Sequence, residues 1–390
     1  MIPYGRHHID EDDIQAVASL LRTGLLTQGP MVEVFEQAIA DYVGVKYAVA
    51  VSSGTAALHL ASLAAEVGPG NALVTSPITF VASANAALYA GGRVVFADVD
   101  PASINMSPAS LGQALAQNRD VRAVVPVHFA GLPCDMAAIK ASADERGAVV
   151  IEDAAHALGA TYCTGQRVGS CVHSLMTIFS FHPVKAIAAG EGGMITTNHE
   201  PTYRRLLRLR SHGINKLDDP MQLPAQAEWD GVRNPWYYEM QEIGYHYRIT
   251  DIQCALALSQ FGKLDSFTAR RRALAKVYDA AFADTPHCRP VQTDGRDKSG
   301  HHIYVLQIDF EGVGTTRGEL MRELRARDIG TQVHYIPVPA QPYYRKLGFR
   351  PEDYPNAQRY YEKALTIPLF YDLTDDQQVY VIGTIRDLVG

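Results

Sequence analysis

Short apolar runs alternate with helical patterns between residues 47 and 197, and this alternation restricts the possible folds more than any other feature of the sequence. The strand-like runs lie at 47–51, 72–76, 94–98, 123–127, 149–151, 174–180 and 193–197. Apolar residues at helical spacing fill several of the intervals, at 56–65, 81–90, 111–117 and 136–146. Short apolar strands separated by helices are typical of a parallel sheet that helices cover on both faces. We therefore predict an α/β fold.

The regions on either side of this alternation have different patterns. Helical spacing precedes it at 10–23 and 31–43, and after it the patterns predict helices at 250–260, 268–283, 317–328, 354–364 and 375–388 and strands at 302–310 and 332–336. We interpret residues 1–30 as an N-terminal segment, 31–245 as a large domain and 246–390 as a small C-terminal domain, bridged by a helix at 258–276. Residues 215–236 contain three prolines and little periodicity, which predicts a long loop.

Charge and cysteine usage exclude several classes of protein. The chain has 35 Lys and Arg against 42 Asp and Glu, so it lacks the basic excess expected of a protein that mainly binds nucleic acid. Its five cysteines form no CxxC pair, so we expect neither a disulfide framework nor a metal site. No basic segment leads into an apolar run at the start, and no apolar stretch is long enough to span a membrane. We expect a cytoplasmic protein.

A Ser/Gly/Thr turn follows the first apolar run. Ser52, Ser53, Gly54 and Thr55 connect the strand at 47–51 to the next helix. Such a turn offers free backbone N–H groups, hydroxyls and the positive end of a helix dipole, which together favour phosphate binding. The alternative is an ordinary capped helix.

Two acidic residues end the run at 149–151. Glu152 and Asp153 lie at the carboxyl end of a predicted parallel strand, where ligands of such sheets gather. A carboxylate at this place can hold the protonated ring nitrogen of a cofactor, and the alternative is a helix N-cap.

Lys185 follows the run at 174–180, in a segment rich in glycine and small residues. A lysine in a partly apolar pocket has a lowered pKa and can form a Schiff base, whereas a lone lysine beside glycines is more often a solvated loop residue. Pyridoxal 5′-phosphate (PLP) requires an anion cradle, a partner for its pyridinium nitrogen and an imine-forming lysine. The three features together therefore predict PLP as the cofactor.

The chain resembles the DegT/DnrJ/EryC1/StrS sugar-nucleotide aminotransferases over nearly its whole length. The segments that carry the resemblance are 26–30, 53–58, 76–80, 152–156, 180–185, 190–193, 210–213 and 244–248. The resemblance implies a type I PLP-dependent transferase fold like that of aspartate aminotransferase. Such a fold has a large domain with a mixed, mostly parallel seven-stranded sheet and a small α+β C-terminal domain.

The resemblance also assigns the cofactor contacts. Lys185 is expected to form the Schiff base and to move the proton during catalysis, and Asp153 to hold the pyridinium N–H. Ser53, Gly54, Thr55 and Ser180 are expected at the phosphate.

Three further cofactor contacts are implied. Phe80 is expected to stack on the ring, with a core aromatic as the alternative, and His156 to lie near the ring. His246 is expected to reach the cofactor phosphate of the partner in a homodimer, at a position where the family commonly has asparagine.

Further segments, at 2–6, 126–135 and 331–338, resemble the pseudaminic-acid pathway aminotransferases of the family. These enzymes use L-glutamate to aminate C4 of a UDP-4-keto-6-deoxy sugar. Pro339 and Ala340 depart from that subgroup's pattern. Substrate contacts are predicted at Tyr4, Thr27 and His334. Arg6, Arg210 and Arg233 are candidates for a diphosphate path, and the alternative for each is a plain surface or structural arginine.

Other functions stay open at this point. The sugar could be a UDP-D-sugar, a GDP-sugar or a dTDP-sugar. The protein could instead be a non-catalytic PLP-binding regulator, or another type I enzyme such as a cysteine desulfurase or an amino-acid aminotransferase. Family dehydratases have histidine in place of the Schiff-base lysine, so the presence of Lys185 favours transamination.

Overall fold

A seven-stranded sheet forms the centre of the computed structural model, which describes residues 1–215 and 220–390. Its strands are β1 (Tyr47–Val51), β2 (Ala72–Thr75), β3 (Arg93–Phe96), β4 (Val121–Val125), β5 (Val149–Asp153), β6 (Met176–Ser180) and β7 (Gly193–Thr197). They lie in the order β1-β7-β6-β5-β4-β2-β3. Only β7 runs antiparallel to its neighbours, so the other six strands share one direction. The predicted mixed, mostly parallel sheet is confirmed.

Helices cover both faces of this sheet. They are α1 (Glu11–Thr23), α2 (Pro30–Val43), α3 (Gly54–Ala64), α4 (Ala82–Tyr89), α5 (Pro108–Gln117), α6 (Met136–Asp144) and α7 (Glu200–Arg210). Ala48 and Ala50 of β1 pack in a core with α2, α5 and α6, whereas Val49 and Val51 pack in a second core with α3, α4 and α7. Successive side chains of a strand point to opposite faces, so burial on both faces produces the apolar runs seen in the sequence.

The rest of the chain builds a smaller antiparallel sheet with its own core. Its helices are α8 (Pro224–Ala227), α9 (Asp251–Phe261), α10 (Leu264–Phe282), α11 (Phe310–Val313), α12 (Arg317–Ala326), α13 (Pro342–Lys346), α14 (Pro355–Lys363) and α15 (Asp375–Val389). Its strands are β8 (Glu228–Trp229), β9 (Val232–Arg233), β10 (Cys288–Pro290), β11 (Tyr304–Ile308) and β12 (Ala364–Ile367), with β10, β11 and β12 forming the sheet. Within α10, Leu264 packs against the large sheet and Leu274 against the small one. The three-part division of the chain stays a prediction.

Several predicted elements differ from the observed ones. The prediction of a strand at 332–336 is wrong. This segment forms one isolated bridge, between Gln332 and Thr366, and its residues His334 and Tyr335 line a cavity. The sequence does not predict helix α7. Its segment is rich in arginine, and Leu206 and Leu209 are its buried apolar residues, which are too few to give a helical pattern. The loop predicted at 215–236 contains α8 and the β8–β9 hairpin, and its residues 216–219 lie outside the described part of the chain. Among the described residues, no helix is both long and apolar enough to cross a membrane.

Candidate active site

A cavity of about 400 Å³ lies at the edge of the large sheet where its parallel strands end. The predicted residues that line it are Tyr4, Ser53, Gly54, Thr55, Phe80, Asp153, His156, Ser180, Lys185 and His334. They come together because loops that follow parallel strands of one sheet meet at the same edge. Ligands of open α/β sheets bind in such a crevice.

The turn after β1 forms one wall of the cavity. Ser53 caps α3, and its Oγ accepts a hydrogen bond of 3.1 Å from the Ala56 N–H. The N–H groups of Gly54 and Thr55 have no partner within the helix because they belong to its first turn. A Cβ atom on Gly54 would lie 2.9 Å from the Cβ of Ser180, so the two walls meet too closely for a larger residue. The result is an anion cradle with two side-chain hydroxyls beside it.

Asp153 ends β5 on the floor of the cavity and is almost fully buried. Its Oδ2 accepts a hydrogen bond of 2.6 Å from Ser83 Oγ, and its Oδ1 accepts one of 3.2 Å from the Ala155 N–H. Burial raises the pKa of this carboxyl above its ordinary value, and these hydrogen bonds work in the opposite direction. A carboxylate so enclosed requires a cationic partner, and a protonated pyridine nitrogen is one. Ser83 was not predicted as part of the site.

Lys185 follows β6 and reaches into the cavity from the side of Asp153. Part of its side chain is open to the cavity, while the surrounding protein encloses the amine deeply enough to lower its pKa to about 8. The nearby charge of Asp153 opposes this shift. A larger neutral fraction near pH 7 makes the amine a better nucleophile.

Imidazole and phenol rings enclose the cavity beside Lys185. His156 Nε2 lies 3.1 Å from the hydroxyl of Tyr335, and its ring centroid lies 4.3 Å from that of His302. Burial, followed by the charge of Lys185, holds the pKa of both histidines well below the ordinary value, so both rings are neutral. His302 and Tyr335 were not predicted.

The remaining aromatic predictions lie nearer the cavity mouth. Phe80 is 59% exposed, which excludes the alternative of a core aromatic and leaves its ring free to cover a planar ligand. Tyr4 packs at 5.4 Å from the His334 ring, and His334 Nδ1 lies 2.9 Å from Thr366 Oγ1.

Some predicted residues lie away from the cavity of their own chain. Thr27 is exposed and bridges to Thr250, and His246 is exposed and stacks on His212 at 5.4 Å. The imidazole of His246 therefore lies at the surface, outside the cavity of its own chain.

The three arginine candidates differ in their surroundings. Arg210 is buried in an ion pair of 2.6 Å with Glu36 and donates to the Ala50 carbonyl, so it braces β1 instead of lining a substrate path. Arg6 is exposed and borders a small crevice that it shares with Lys185. Arg233 lies in the β8–β9 hairpin.

These groups fit PLP. The cradle at α3 suits a phosphate, the buried carboxylate of Asp153 suits a ring N–H, and the amine of Lys185 suits an aldehyde. The absence of a side chain at Gly54 lets the first turn of α3 lie close to Ser180, because a Cβ there would be only 3.2 Å from the Ser180 Oγ.

Comparison with known proteins gives independent information on the whole chain. The sequence pattern of the DegT/DnrJ/EryC1/StrS aminotransferase family matches residues 7–386. The spore coat polysaccharide biosynthesis protein SpsC of Bacillus subtilis (strain 168) is 41% identical over 394 residues, which span 100% of this chain and 97% of SpsC.

Solved structures give the same picture. Helicobacter pylori PseC, an aminotransferase involved in the biosynthesis of pseudoaminic acid, has a TM-score of 0.89 and 28% identity, covering 100% of this chain and 99% of PseC. The PLP form of Spr1654 from Streptococcus pneumoniae has a TM-score of 0.88 and 28% identity, covering 100% and 98% of the two chains. The predicted aminotransferase fold is confirmed.

Proposed function

The chain belongs to the DegT/DnrJ/EryC1/StrS aminotransferase family, and from that premise we propose that it aminates a UDP-4-keto sugar at C4. It is a PLP-dependent aminotransferase. The proposed substrate is UDP-2-acetamido-2,6-dideoxy-β-L-arabino-hexos-4-ulose, and L-glutamate is the proposed amino donor. The product is UDP-4-amino-4,6-dideoxy-N-acetyl-β-L-altrosamine, a precursor in pseudaminic acid biosynthesis.

One observation carries the catalytic part of the proposal: three groups converge on one cavity. They are the amine of Lys185, the buried carboxylate of Asp153 and the open N-terminus of α3 at Gly54. When bound, PLP supplies an electron sink for proton transfer at the carbon that carries the amino group. Lys185 Nζ would attach the cofactor, and once released it would take a proton from the glutamate carbon and deliver it to C4′ of the cofactor. With the keto sugar it would move the proton in the opposite direction.

The residues around Lys185 would orient the cofactor for this proton transfer. Asp153 would hold the ring N–H of the cofactor, and the hydrogen bond from the Ser83 hydroxyl fixes the orientation of its carboxylate. Phe80, whose side chain is exposed, would cover the cofactor ring. Because a pKa of about 8 leaves part of the Lys185 amine neutral near neutral pH, the same group can act as nucleophile and as base.

The choice of sugar rests on sequence segments and on the likeness to PseC. Segments 2–6 and 331–338 carry the resemblance to the pseudaminic-type enzymes, and they bring Tyr4 and His334 to the cavity wall. We propose that these two side chains contact the sugar. Thr27 lies outside this wall and stays a prediction for a substrate contact.

A substrate panel tests the proposal. We expect the purified protein with PLP and L-glutamate to aminate the UDP-L-arabino-4-keto sugar at least tenfold faster than UDP-D-xylo, GDP or dTDP 4-keto sugars, roughly the discrimination available from one or two polar contacts. Product mass and the C4 configuration by NMR identify the reaction. Omitting glutamate provides the control. Faster amination of another sugar would contradict the proposed substrate but not the sugar aminotransferase activity. If the protein aminated none of the sugars, the proposed function itself would be contradicted.

We also propose that the enzyme is a homodimer in which His246 completes the partner's site. The proposal is supported by the exposed position of His246 outside its own cavity. Its imidazole can donate to a phosphate oxygen, as the asparagine common at this position would.

Mixed dimers test this arrangement. Lys185→Ala and His246→Ala should each lower activity strongly, because each variant lacks one part of every site. Unfolding, mixing and refolding the two variants should restore about a quarter of wild-type activity, since half of the randomly formed dimers are mixed and each has one intact site. The double variant mixed with Lys185→Ala serves as the control and should restore none. Absence of recovery in the first mixture would place His246 in the site of its own chain.

A further inference from the structure

His302 lies directly beside the amine of Lys185, although no motif identified it. Its Nε2 is 3.5 Å from Lys185 Nζ, the outer limit for a hydrogen bond. Only 5% of the side chain is exposed. The residue precedes β11, so it brings a side chain from the second half of the sequence to the end of β6.

The backbone around His302 is fixed on both sides. Its N–H donates to the Ala130 carbonyl at 2.9 Å, and its carbonyl accepts from the buried guanidinium of Arg271 at 3.0 Å. A Cβ atom on Gly131 would lie 2.8 Å from the backbone nitrogen of His301, which shows how closely the two segments approach. Gly131 also has a φ of +102°, a conformation that favours glycine. The imidazole is therefore held at a set distance from the lysine.

The charge state of the ring follows from its neighbours. Within the described part of the chain, Nδ1 of His302 is buried and has no hydrogen-bond partner. Among the described residues, the charge of Asp153 acts on Lys185, and those of His156, Arg271 and His334 act on His302, while the Tyr335 hydroxyl bonds to His156. Burial, with added repulsion from the Lys185 cation, keeps the pKa of His302 well below its ordinary value. A neutral ring with its proton on Nδ1 leaves the Nε2 lone pair directed at Lys185.

We propose that His302 is a positioning residue that accepts a hydrogen bond from the Lys185 amine through Nε2 and steadies that amine whenever it carries a proton. This inference rests on the proposed function, because only a reaction that frees Lys185 requires the amine to be held. The proton taken from the substrate carbon then stays on Nζ as an ammonium. Nε2 of His302 accepts a hydrogen bond from one of the three N–H groups of this ammonium until Lys185 delivers the proton to the carbon that receives it.

The consequence is a specific effect on the proton affinity of Lys185. An ammonium donates a stronger hydrogen bond than a neutral amine, so an acceptor at 3.5 Å stabilises the charged form more. Removing the acceptor should therefore lower the pKa of Lys185 further. A side chain that keeps an acceptor but cannot titrate should leave that pKa close to the wild-type value.

Competitive labelling of the full chain freed of cofactor measures this quantity without turnover. The reactivity of Lys185 toward acetic anhydride is followed against pH by mass spectrometry of its peptide. We expect the labelling midpoint of His302→Leu to fall by about one pH unit, and that of His302→Gln to stay near the wild-type value. His301→Asn is the matched control, because the His301 ring bonds instead to the Arg296 carbonyl.

The possible results divide clearly once circular dichroism shows that each variant is folded. A wild-type midpoint in His302→Leu would overturn the inference, and so would an equal displacement in His302→Gln or His301→Asn. In the loaded enzyme, the acidic limb of the kcat profile should move with the labelling midpoint. Absence of turnover in the wild type would contradict the proposed function, yet labelling would still report on His302.

Discussion

Replacing Lys185 by alanine is expected to reduce transamination by at least about 10⁴-fold, the largest effect of any single substitution in the site. The residue supplies both the amine that attaches PLP and the group that carries the proton. The nitrogen at hydrogen-bond distance from Nζ, on His302, belongs to a ring whose pKa is lowered by burial. Formation of 2-oxoglutarate from glutamate measures the loss in the first half of the reaction.

The structural controls for this variant are direct. Borohydride reduction followed by peptide mass should show cofactor attached at residue 185 in the wild type and none in Lys185→Ala. The fold of Lys185→Ala should persist. Because burial lowers the pKa of Lys185 below its value in the unfolded chain, this amine destabilises the folded state at any pH below the unfolded pKa, and its removal should not cost stability. Lys46→Ala, at an exposed lysine before β1, should keep full activity. Turnover of Lys185→Ala comparable to wild type would contradict the assignment.

The sequence predicted secondary structure best where the local strand preference of a segment and its burial in the fold require the same residues. Strands β1 and β7 were predicted with their observed bounds, because strands buried on both faces must be apolar throughout and glycine or polar residues mark their ends. The sequence pattern was enough to place Asp153 and Lys185 together, since both follow parallel strands of one sheet. The order of such strands determines which loops become neighbours.

The residues that were missed depend on contacts between distant segments. Ser83 touches Asp153 only because α4 packs above the end of β5, and His302 reaches Lys185 only through the paired backbones at Ala130 and Gly131. No spacing along the sequence encodes these distances. The sequence left the structural role and the substrate-path role of Arg210 open for the same reason, because its partner Glu36 lies far away in the sequence on α2.

A second buried network lies on the other face of β5, directly behind Asp153. Glu152 and His128 are both fully buried, and Nε2 of His128 lies 2.8 Å from Oε2 of Glu152. The Cys134 N–H donates to His128 Nδ1 at 3.1 Å, so the ring proton is on Nε2 and is donated to the carboxylate. Three hydroxyls complete the shell of Glu152, from Tyr162, Ser174 and Thr177.

The charge of Glu152 depends on these donors. Burial works to raise the pKa of Glu152, but the hydrogen bonds from His128, Ser174 and Tyr162 hold it below the ordinary value. A carboxyl with a lowered folded pKa adds stability above its unfolded pKa, and loses it as the pH falls through the folded value. This contribution is therefore complete at pH 7 and disappears in acid.

Glu152→Ala is expected to lower the free energy of unfolding by about 3–5 kcal/mol at pH 7, because it leaves several buried donors without an acceptor. Glu152→Gln keeps one carbonyl oxygen and should cost about 1–2 kcal/mol. Urea unfolding followed by circular dichroism measures both. The difference between wild type and Glu152→Gln should shrink as the pH falls below about 4.5, where Glu152 of the unfolded chain begins to protonate, and should be lost below the lower pKa of the folded state.

A double variant separates the effect of losing the His128–Glu152 hydrogen bond from the effect of leaving one buried polar partner unpaired. His128→Leu combined with Glu152→Leu removes donor and acceptor together, so it should cost less than the two single changes summed. This network adjoins the cofactor floor, because Glu152 directly precedes Asp153 in β5 and the backbone N–H of His128 donates to the Asp153 carbonyl at 3.1 Å. Glu152→Ala should therefore weaken PLP binding as well as the fold, whereas a normal PLP affinity in a destabilised Glu152→Ala would show that Asp153 is held without this network.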